Sequence, residues 1–192
     1  VMSYALGAEQ ACMGSTIALR RTTLQRIGGF AAFADCLADD HAVGMAVRGL
    51  GLRVVPVPRM LLAHGCAEES LGAVWRHELR WATTVRGVNF PGHLGSLLTH
   101  PLPLSLIAAA LMPEAGAAAV AGSLVVRCLL ARTMNRWAGE PTAPMWWLPA
   151  RDLLSFSIFI ASFAARSVDW RGARLRIGPR GQVTAKSEIR VP

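Results

Sequence analysis

The apolar stretch LPLSLIAAALMPEAGAAAVAGSLVVRCLL, residues 102–130, contains only two charged side chains, Glu114 and Arg127. The hydrocarbon core of a bilayer is about 30 Å thick, and about 20 apolar helical residues cross it. The stretch is therefore long enough for one tilted crossing. Because a proline interrupts helices, Pro113 followed by Glu114 also allows the chain to fold back as a re-entrant hairpin.

A second apolar stretch covers residues 145–165 and is interrupted by one charged pair, Arg151-Asp152. Trp146 and Trp147 stand at its start, where an interfacial aromatic belt is expected. The two stretches predict an integral membrane protein with two crossings. Buried core helices of a soluble protein are the alternative explanation for either stretch.

The overall composition agrees with membrane contact. The chain has 192 residues, of which 53% are hydrophobic and only 17% are charged, whereas a soluble domain has about 25% charged residues. Its net charge of +8 suits anionic headgroups or phosphates, and the apolar stretches favour lipid over nucleic acid. The four cysteines show no CxxC spacing and fit reduced thiols in the cytosol.

Three segments follow from these patterns: residues 1–92, a mixed α/β domain; residues 93–168, a membrane region with two or three apolar helices; and residues 169–192, a basic tail. In the first segment we expect strands at 16–19, 53–57 and 60–63, and helices at 22–27, 37–48 and 69–88. The Arg-rich tail predicts a cytosolic C-terminus by the positive-inside rule. Two crossings would return it to the side of the first segment.

One acidic cluster, Asp35-Cys-Leu-Ala-Asp39-Asp40-His41, precedes a predicted helix. Carboxylates at a helix start are stabilised by the dipole and by unpaired N–H groups, so helix capping explains them simply. A carboxylate held there and facing a cleft is also suited to accept a proton from an alcohol. A metal site is disfavoured, because the available ligands match no common zinc spacing: Asp35, Asp39, His41, His64 and Cys66.

A second cluster, His77-Glu-Leu-Arg80-Trp81, lies on the predicted amphipathic helix. Spacings of three and four residues place His77, Arg80 and Trp81 on one helical face. The arginine fork suits a diphosphate, and the tryptophan suits a ring or an acceptor pocket. An interfacial helix with snorkelling arginine is the alternative.

These motifs, in this order, resemble the ceramide glucosyltransferase-like family of inverting glycosyltransferases, which includes bacterial hopanoid-biosynthesis enzymes. The family pattern is D, D, D, (Q/R)xxRW. Residues 12–20 resemble the strand before the third Asp, which Asp40 matches, and residues 77–81 resemble the last motif, with His77 in place of Gln or Arg. Asp169-Trp-Arg-Gly172 resembles the family's tail signature.

The resemblance implies the C-terminal part of a glycosyltransferase-A catalytic domain, an interfacial helix and transmembrane helices, on the cytoplasmic face of a bacterial inner membrane. It implies sugar transfer from a UDP-sugar to a lipid hydroxyl of ceramide or a hopanoid-like polyol. Asp40 would be the catalytic base, and four residues would bind substrate: Asp39, His77, Arg80 and Trp81. The divalent cation, Mg²⁺ or Mn²⁺, would be held mostly by ligands before Val1, so we expect these residues alone to be inactive. A non-catalytic anchoring subunit and a transporter fragment are the competing classes.

Overall fold

The computed structural model describes residues 12, 16–36, 38–55, 68–139, 144–165, 167–170, 173–177 and 183–185. The chain forms two compact units. The first comprises Val1–Gly65 and Arg166–Pro192, and the second comprises Cys66–Ala165.

The first unit contains helices α1 (Arg21–Arg26) and α2 (Asp39–Gly49), with a short 3-10 turn at Phe30–Phe33. Two glycines with positive φ, Gly28 at 93° and Gly29 at 71°, follow α1 and end it, as the sequence predicted. Residues with a Cβ rarely adopt such a backbone. At Gly28 a Cβ would also lie 3.0 Å from the Cβ of Ala32.

The strands of the first unit form a three-stranded antiparallel sheet in the order β1-β2-β3. They are β1 (Ser167–Trp170), β2 (Ala173–Ile177) and β3 (Val183–Ala185). In the register, Val168 lies opposite Leu175, which lies opposite Ala185 on the other side.

The predicted α/β class is wrong. The described residues are mainly helical, and their sheet is a short antiparallel one after the last helix rather than strands alternating with helices. The described residues at 16–19 and 53–55 are not in strands, and the third expected strand, 60–63, lies outside the described residues. A short apolar run becomes a strand only when another strand pairs with its backbone, and the run itself does not specify that partner.

The second unit is helical. Its helices are α3 (Leu71–Val88), α4 (Phe90–Gly95), α5 (Pro101–Leu111), α6 (Pro113–Ala138) and α7 (Leu148–Ala164), with 3-10 turns at Ser96–Thr99 and Met145–Trp147. Ser70 caps α3 by accepting a hydrogen bond from the Ala73 N–H at 3.2 Å. Proline occupies the first turn of each later helix, where its missing N–H leaves no helical bond unmade.

The apolar stretch 102–130 folds back on itself at Met112, between α5 and α6. The two helices approach closely at Gly116, where an added Cβ would lie 2.1 Å from the Ala109 Cα. Of the two arrangements that the sequence left open, the chain therefore adopts a helical hairpin rather than one continuous helix.

Among the described helices, α6 is the one that alone is long and apolar enough to cross a membrane. Its 26 residues extend about 39 Å. The segments Phe90–Thr99 and Pro101–Leu111 meet the same criterion only together, with a 66° bend between them. The other predicted crossing, α7, has 17 residues and extends about 25 Å, which is short of a bilayer core.

Candidate functional site

The acidic cluster lies at the start of α2. Its N-cap residue, Ala38, offers no side-chain acceptor, and two aspartates accept backbone hydrogen bonds instead. The Asp40 N–H donates to Asp39 Oδ1 at 2.9 Å, and the His41 N–H donates to Asp40 Oδ1 at 2.7 Å. Asp39 is exposed and Asp40 is half-buried. The capping interpretation thus describes what these carboxylates do in the fold, and it also fixes the orientation of the Asp40 carboxylate.

Cys12 lies within electrostatic range of Asp40. Burial, and secondly the negative charge of Asp40, raise the pKa of the Cys12 thiol above its ordinary value. Cys12 is the first residue of the stretch 12–20, which resembles the strand before the family's third Asp. This end of the stretch is therefore close to Asp40.

A metal site is not formed by the described residues, which contain no group of three His, Cys, Asp or Glu side chains able to hold a metal ion. Asp35, Asp39 and His41 are described but do not assemble such a group, and His64 and Cys66 lie outside the described residues. The described side chains therefore do not fit the divalent cation that the family resemblance implies.

A cavity of about 410 Å³ lies within the second unit, between α3, α7 and the segment from α4 to the start of α5. His77 and Trp81 line it from α3, together with the apolar Val85. The opposite walls include His93, His100, Arg151, Ser155 and Phe159. Both walls of the cavity thus contain polar and apolar side chains.

Within this cavity the structure brings together two of the three residues predicted on α3. The rings of His77 and Trp81 are 5.3 Å apart, centroid to centroid, and are tilted by 44°. His77 Nδ1 lies 2.5 Å from Glu68 Oε1. Trp81 is 58% exposed, so its indole is accessible to a ligand.

Arg80 does not line the cavity. It is half-buried, and none of the ion pairs among the described residues involves its guanidinium. Its guanidinium is therefore not paired with a described carboxylate, whereas that of Arg151 is paired with Glu78. The predicted common face thus holds for His77 and Trp81, and Arg80 lies beside it.

An ion pair between Arg151 and Glu78 lies at one edge of the cavity. Arg151 on α7 donates to both oxygens of Glu78 on α3, at 2.7 and 3.1 Å, and to the Ser155 hydroxyl at 2.6 Å. Its neighbour Asp152 is 8% exposed and pairs with Arg127 on α6 at 2.8 Å. The two adjacent charges in the second apolar stretch therefore bind two different helices.

His93, which lines the cavity, forms buried polar contacts. His93 Nε2 lies 2.9 Å from the Ser162 hydroxyl, which itself donates to the Phe159 carbonyl at 2.6 Å. Because that hydroxyl has one hydrogen, it accepts from His93, so Nε2 carries the proton. The His93 ring also packs against Phe159 and Phe163 at 4.9 and 5.3 Å.

Sequence reasoning missed Glu68, His93, His100, Arg151 and Ser155 as neighbours of the α3 motif. Glu78 and Arg151 are 73 residues apart in the chain, and no local pattern joins such distant positions. The one available signal was the charged pair Arg151-Asp152 inside an apolar stretch, since charges in such places require partners.

The family comparison places this chain among the glycosyltransferases. Residues 1–183 match the model of Glycosyl transferase family 21, and the chain belongs to that family. No curated protein and no solved structure matches the chain. The ceramide glucosyltransferase-like family inferred from the ordered motifs is thereby confirmed, while the hopanoid branch stays a prediction.

Proposed function

We propose that this chain is part of an inverting glycosyltransferase that moves a sugar from a UDP-sugar to a lipid hydroxyl, as ceramide glucosyltransferase-like enzymes do. The observation that supports the lipid acceptor is the cavity beside Trp81, which is lined by apolar side chains such as Val85 and Phe159 and by polar ones such as His77 and Ser155. An amphiphilic alcohol matches this mixed lining, because its chain would contact the apolar side chains and its headgroup the polar ones.

In the proposed reaction Asp40 accepts the proton of the acceptor hydroxyl. The hydroxyl oxygen forms a bond to C1 of the sugar as the bond from C1 to the diphosphate oxygen breaks. UDP leaves with the bonding electrons, and the configuration at C1 inverts. The capped position of Asp40 supports this role, because a base must be held in one orientation. Asp39, whose Oδ1 accepts from the Asp40 N–H, is assigned to substrate binding beside it.

Arg80 is proposed to bind the diphosphate. A guanidinium presents paired N–H donors that match phosphate oxygens, and that of Arg80 has no ion pair among the described residues. Mg²⁺ or Mn²⁺ would neutralise the diphosphate when bound. The described side chains do not fit such an ion.

Membrane association is proposed through α6. Four large apolar side chains on it are half or more exposed: Val125, Val126, Leu129 and Leu130. Arg132 and Arg136 follow and are exposed, as suits anchors at the headgroup level. We place the enzyme at the cytoplasmic face of a bacterial inner membrane, with UDP-sugar and lipid, not nucleic acid, as its partners.

Transfer by the intact protein tests the function. Purified protein in lipid nanodiscs is incubated with labelled UDP-sugars, Mg²⁺ or Mn²⁺, and either ceramide or a hopanoid polyol. The expected product is a glycolipid whose anomeric configuration is inverted relative to the donor, as read by NMR. Absence of glycolipid with every donor and both acceptors would favour the non-catalytic anchoring subunit instead.

A further inference from the structure

We infer that Glu68 and His77 act as a pair that binds a hydroxyl group of the acceptor through His77 Nε2. The inference rests on the proposed function, because it concerns the cavity assigned above to the acceptor. It adds Glu68, which no motif contains, as a positioning residue, and it gives His77 a role that the family's Gln or Arg at that position does not define.

The proton on His77 follows from its contact with Glu68. A carboxylate only accepts hydrogen bonds, so when the His77 ring is neutral its one proton lies on Nδ1, in the 2.5 Å contact with Glu68. The other nitrogen, Nε2, then carries a lone pair. No described group forms a hydrogen bond with Nε2, so this acceptor is available to a ligand in the cavity.

The orientation of the ring is restrained from two sides. Glu68 holds one edge, and its side chain is only 19% exposed. Trp81 lies beside the ring at 5.3 Å. A side chain held in this way loses little conformational freedom when a ligand binds, which favours affinity.

In the neutral ring, the lone pair on Nε2 determines which ligands form a hydrogen bond with His77. An alcohol donates a hydrogen bond to it. An ionised phosphate or carboxylate oxygen only accepts hydrogen bonds, so its lone pair would repel that of Nε2. An arginine at this position would show the opposite preference, because it only donates. His77 thus favours a hydroxylated headgroup over an anionic one.

The other ionisable groups facing the cavity agree with an uncharged headgroup. Arg151 is matched by Glu78, His93 is bound to Ser162, and His100 packs against Phe156 and Phe159. In the described part of the chain, no cationic side chain lines this cavity without an acidic partner.

Two substitutions at His77 separate the functions of its nitrogens. His77→Asn retains a donor near the position of Nδ1 and loses the acceptor near Nε2. His77→Gln places an amide near Nε2 and loses the contact with Glu68. In the intact protein we expect His77→Asn to raise the KM for ceramide about tenfold, the usual effect of losing one hydrogen bond, with kcat within about threefold of wild type. His77→Gln keeps an acceptor near Nε2, so it should raise that KM clearly less than His77→Asn does.

Glu68→Gln tests the pair. The amide of the new Gln no longer fixes which nitrogen of His77 carries the proton, so the KM for ceramide should rise. The Glu68→Gln/His77→Asn double variant should have a KM no higher than that of His77→Asn alone. Additive effects, or equal effects of His77→Asn and His77→Gln, would overturn the inference. Unchanged elution in gel filtration and an unchanged circular dichroism spectrum show that each variant is folded.

Binding of a labelled short-chain ceramide without donor separates this inference from the proposed function. If no lipid is glycosylated, but His77→Asn weakens ceramide binding clearly more than His77→Gln does, the function fails and the site stands. If lipid is glycosylated but the two variants behave alike, the site fails and the function stands.

Discussion

Arg127 on α6 donates from Nε to both carboxylate oxygens of Asp152 on α7, at 2.8 and 3.0 Å. Either charge alone would be unfavourable in an apolar helix. As a pair, they connect the hairpin of α5 and α6 to α7, which forms one wall of the cavity. Asp152 is buried, and the side chain of Arg127 is 35% exposed.

Asp152→Ala should lower the free energy of unfolding by about 3 kcal/mol, because it removes the buried partner of Arg127 and leaves that charge unmatched. Thermal unfolding in detergent measures the change. The double variant Arg127→Leu/Asp152→Leu removes both charges and should recover most of the loss. A double variant less stable than Asp152→Ala would show that the pair contributes more than the cost of an unmatched charge.

Asp40→Asn should reduce sugar transfer at least about a hundredfold, because the amide caps α2 through its oxygen but is not a base. Helix content, measured by circular dichroism, should not change. Asp39→Asn is the matched control, since Asp39 accepts the same kind of backbone bond one residue earlier and should cost much less activity. Near-wild-type turnover by Asp40→Asn would remove Asp40 from the reaction.

Arg80→Lys should raise the KM for the UDP-sugar about tenfold, because lysine keeps the charge and loses the paired donors, while the KM for the lipid changes little. Arg76→Lys on the same helix is the control, since Arg76 is exposed and does not line the cavity. If the two variants have equal kinetics, the interfacial interpretation of α3 is correct and Arg80 has no special role in donor binding.

The sequence predicted features that depend on near neighbours. The helix predicted at 37–48 begins two residues later, at Asp39. The end of α1 before Gly28 was predictable, because a glycine ends a helix within one turn. His77 and Trp81 were placed together correctly by their four-residue spacing. The strands were mispredicted, because the apolar run at 16–19 has no strand partner among the described residues, whereas β1 at 167–170 pairs with β2.

Distant contacts were beyond sequence reasoning for the same reason. Arg86 reaches the Ala165 carbonyl at 2.7 Å across 79 residues of chain, and His93 reaches Ser162 across 69. The apolar stretch 102–130 was compatible with one helix or two. Pro113 made a break possible, but the choice depends on how α5 packs against α6.

Close packing within that hairpin depends on Gly116. Even a methyl group there would meet the backbone of Ala109 at 2.1 Å, so Gly116→Ala should force α5 and α6 apart and lower the melting temperature. Gly122→Ala is the matched control on the same helix, because nothing lies within 4 Å of its added Cβ and alanine favours helix by about 1 kcal/mol. Gly122→Ala should therefore be neutral or stabilising. Equal melting temperatures for the two variants would contradict the tight hairpin.

The proximity of Cys12 to Asp40 gives a direct chemical test of the first unit. Burial and the Asp40 charge both raise the pKa of the Cys12 thiol, so at neutral pH its reactive thiolate is scarce. Asp40→Asn removes the Asp40 charge and so lowers the pKa of the Cys12 thiol. At a fixed pH just below that pKa, the thiolate fraction of Cys12 then rises. Alkylation of Cys12 by iodoacetamide, followed by peptide mass spectrometry, should therefore be a few-fold faster in Asp40→Asn than in wild type. Alkylation of Cys36 within the same samples corrects for reagent and exposure. An unchanged rate at Cys12 in Asp40→Asn would mean that the thiol does not sense Asp40.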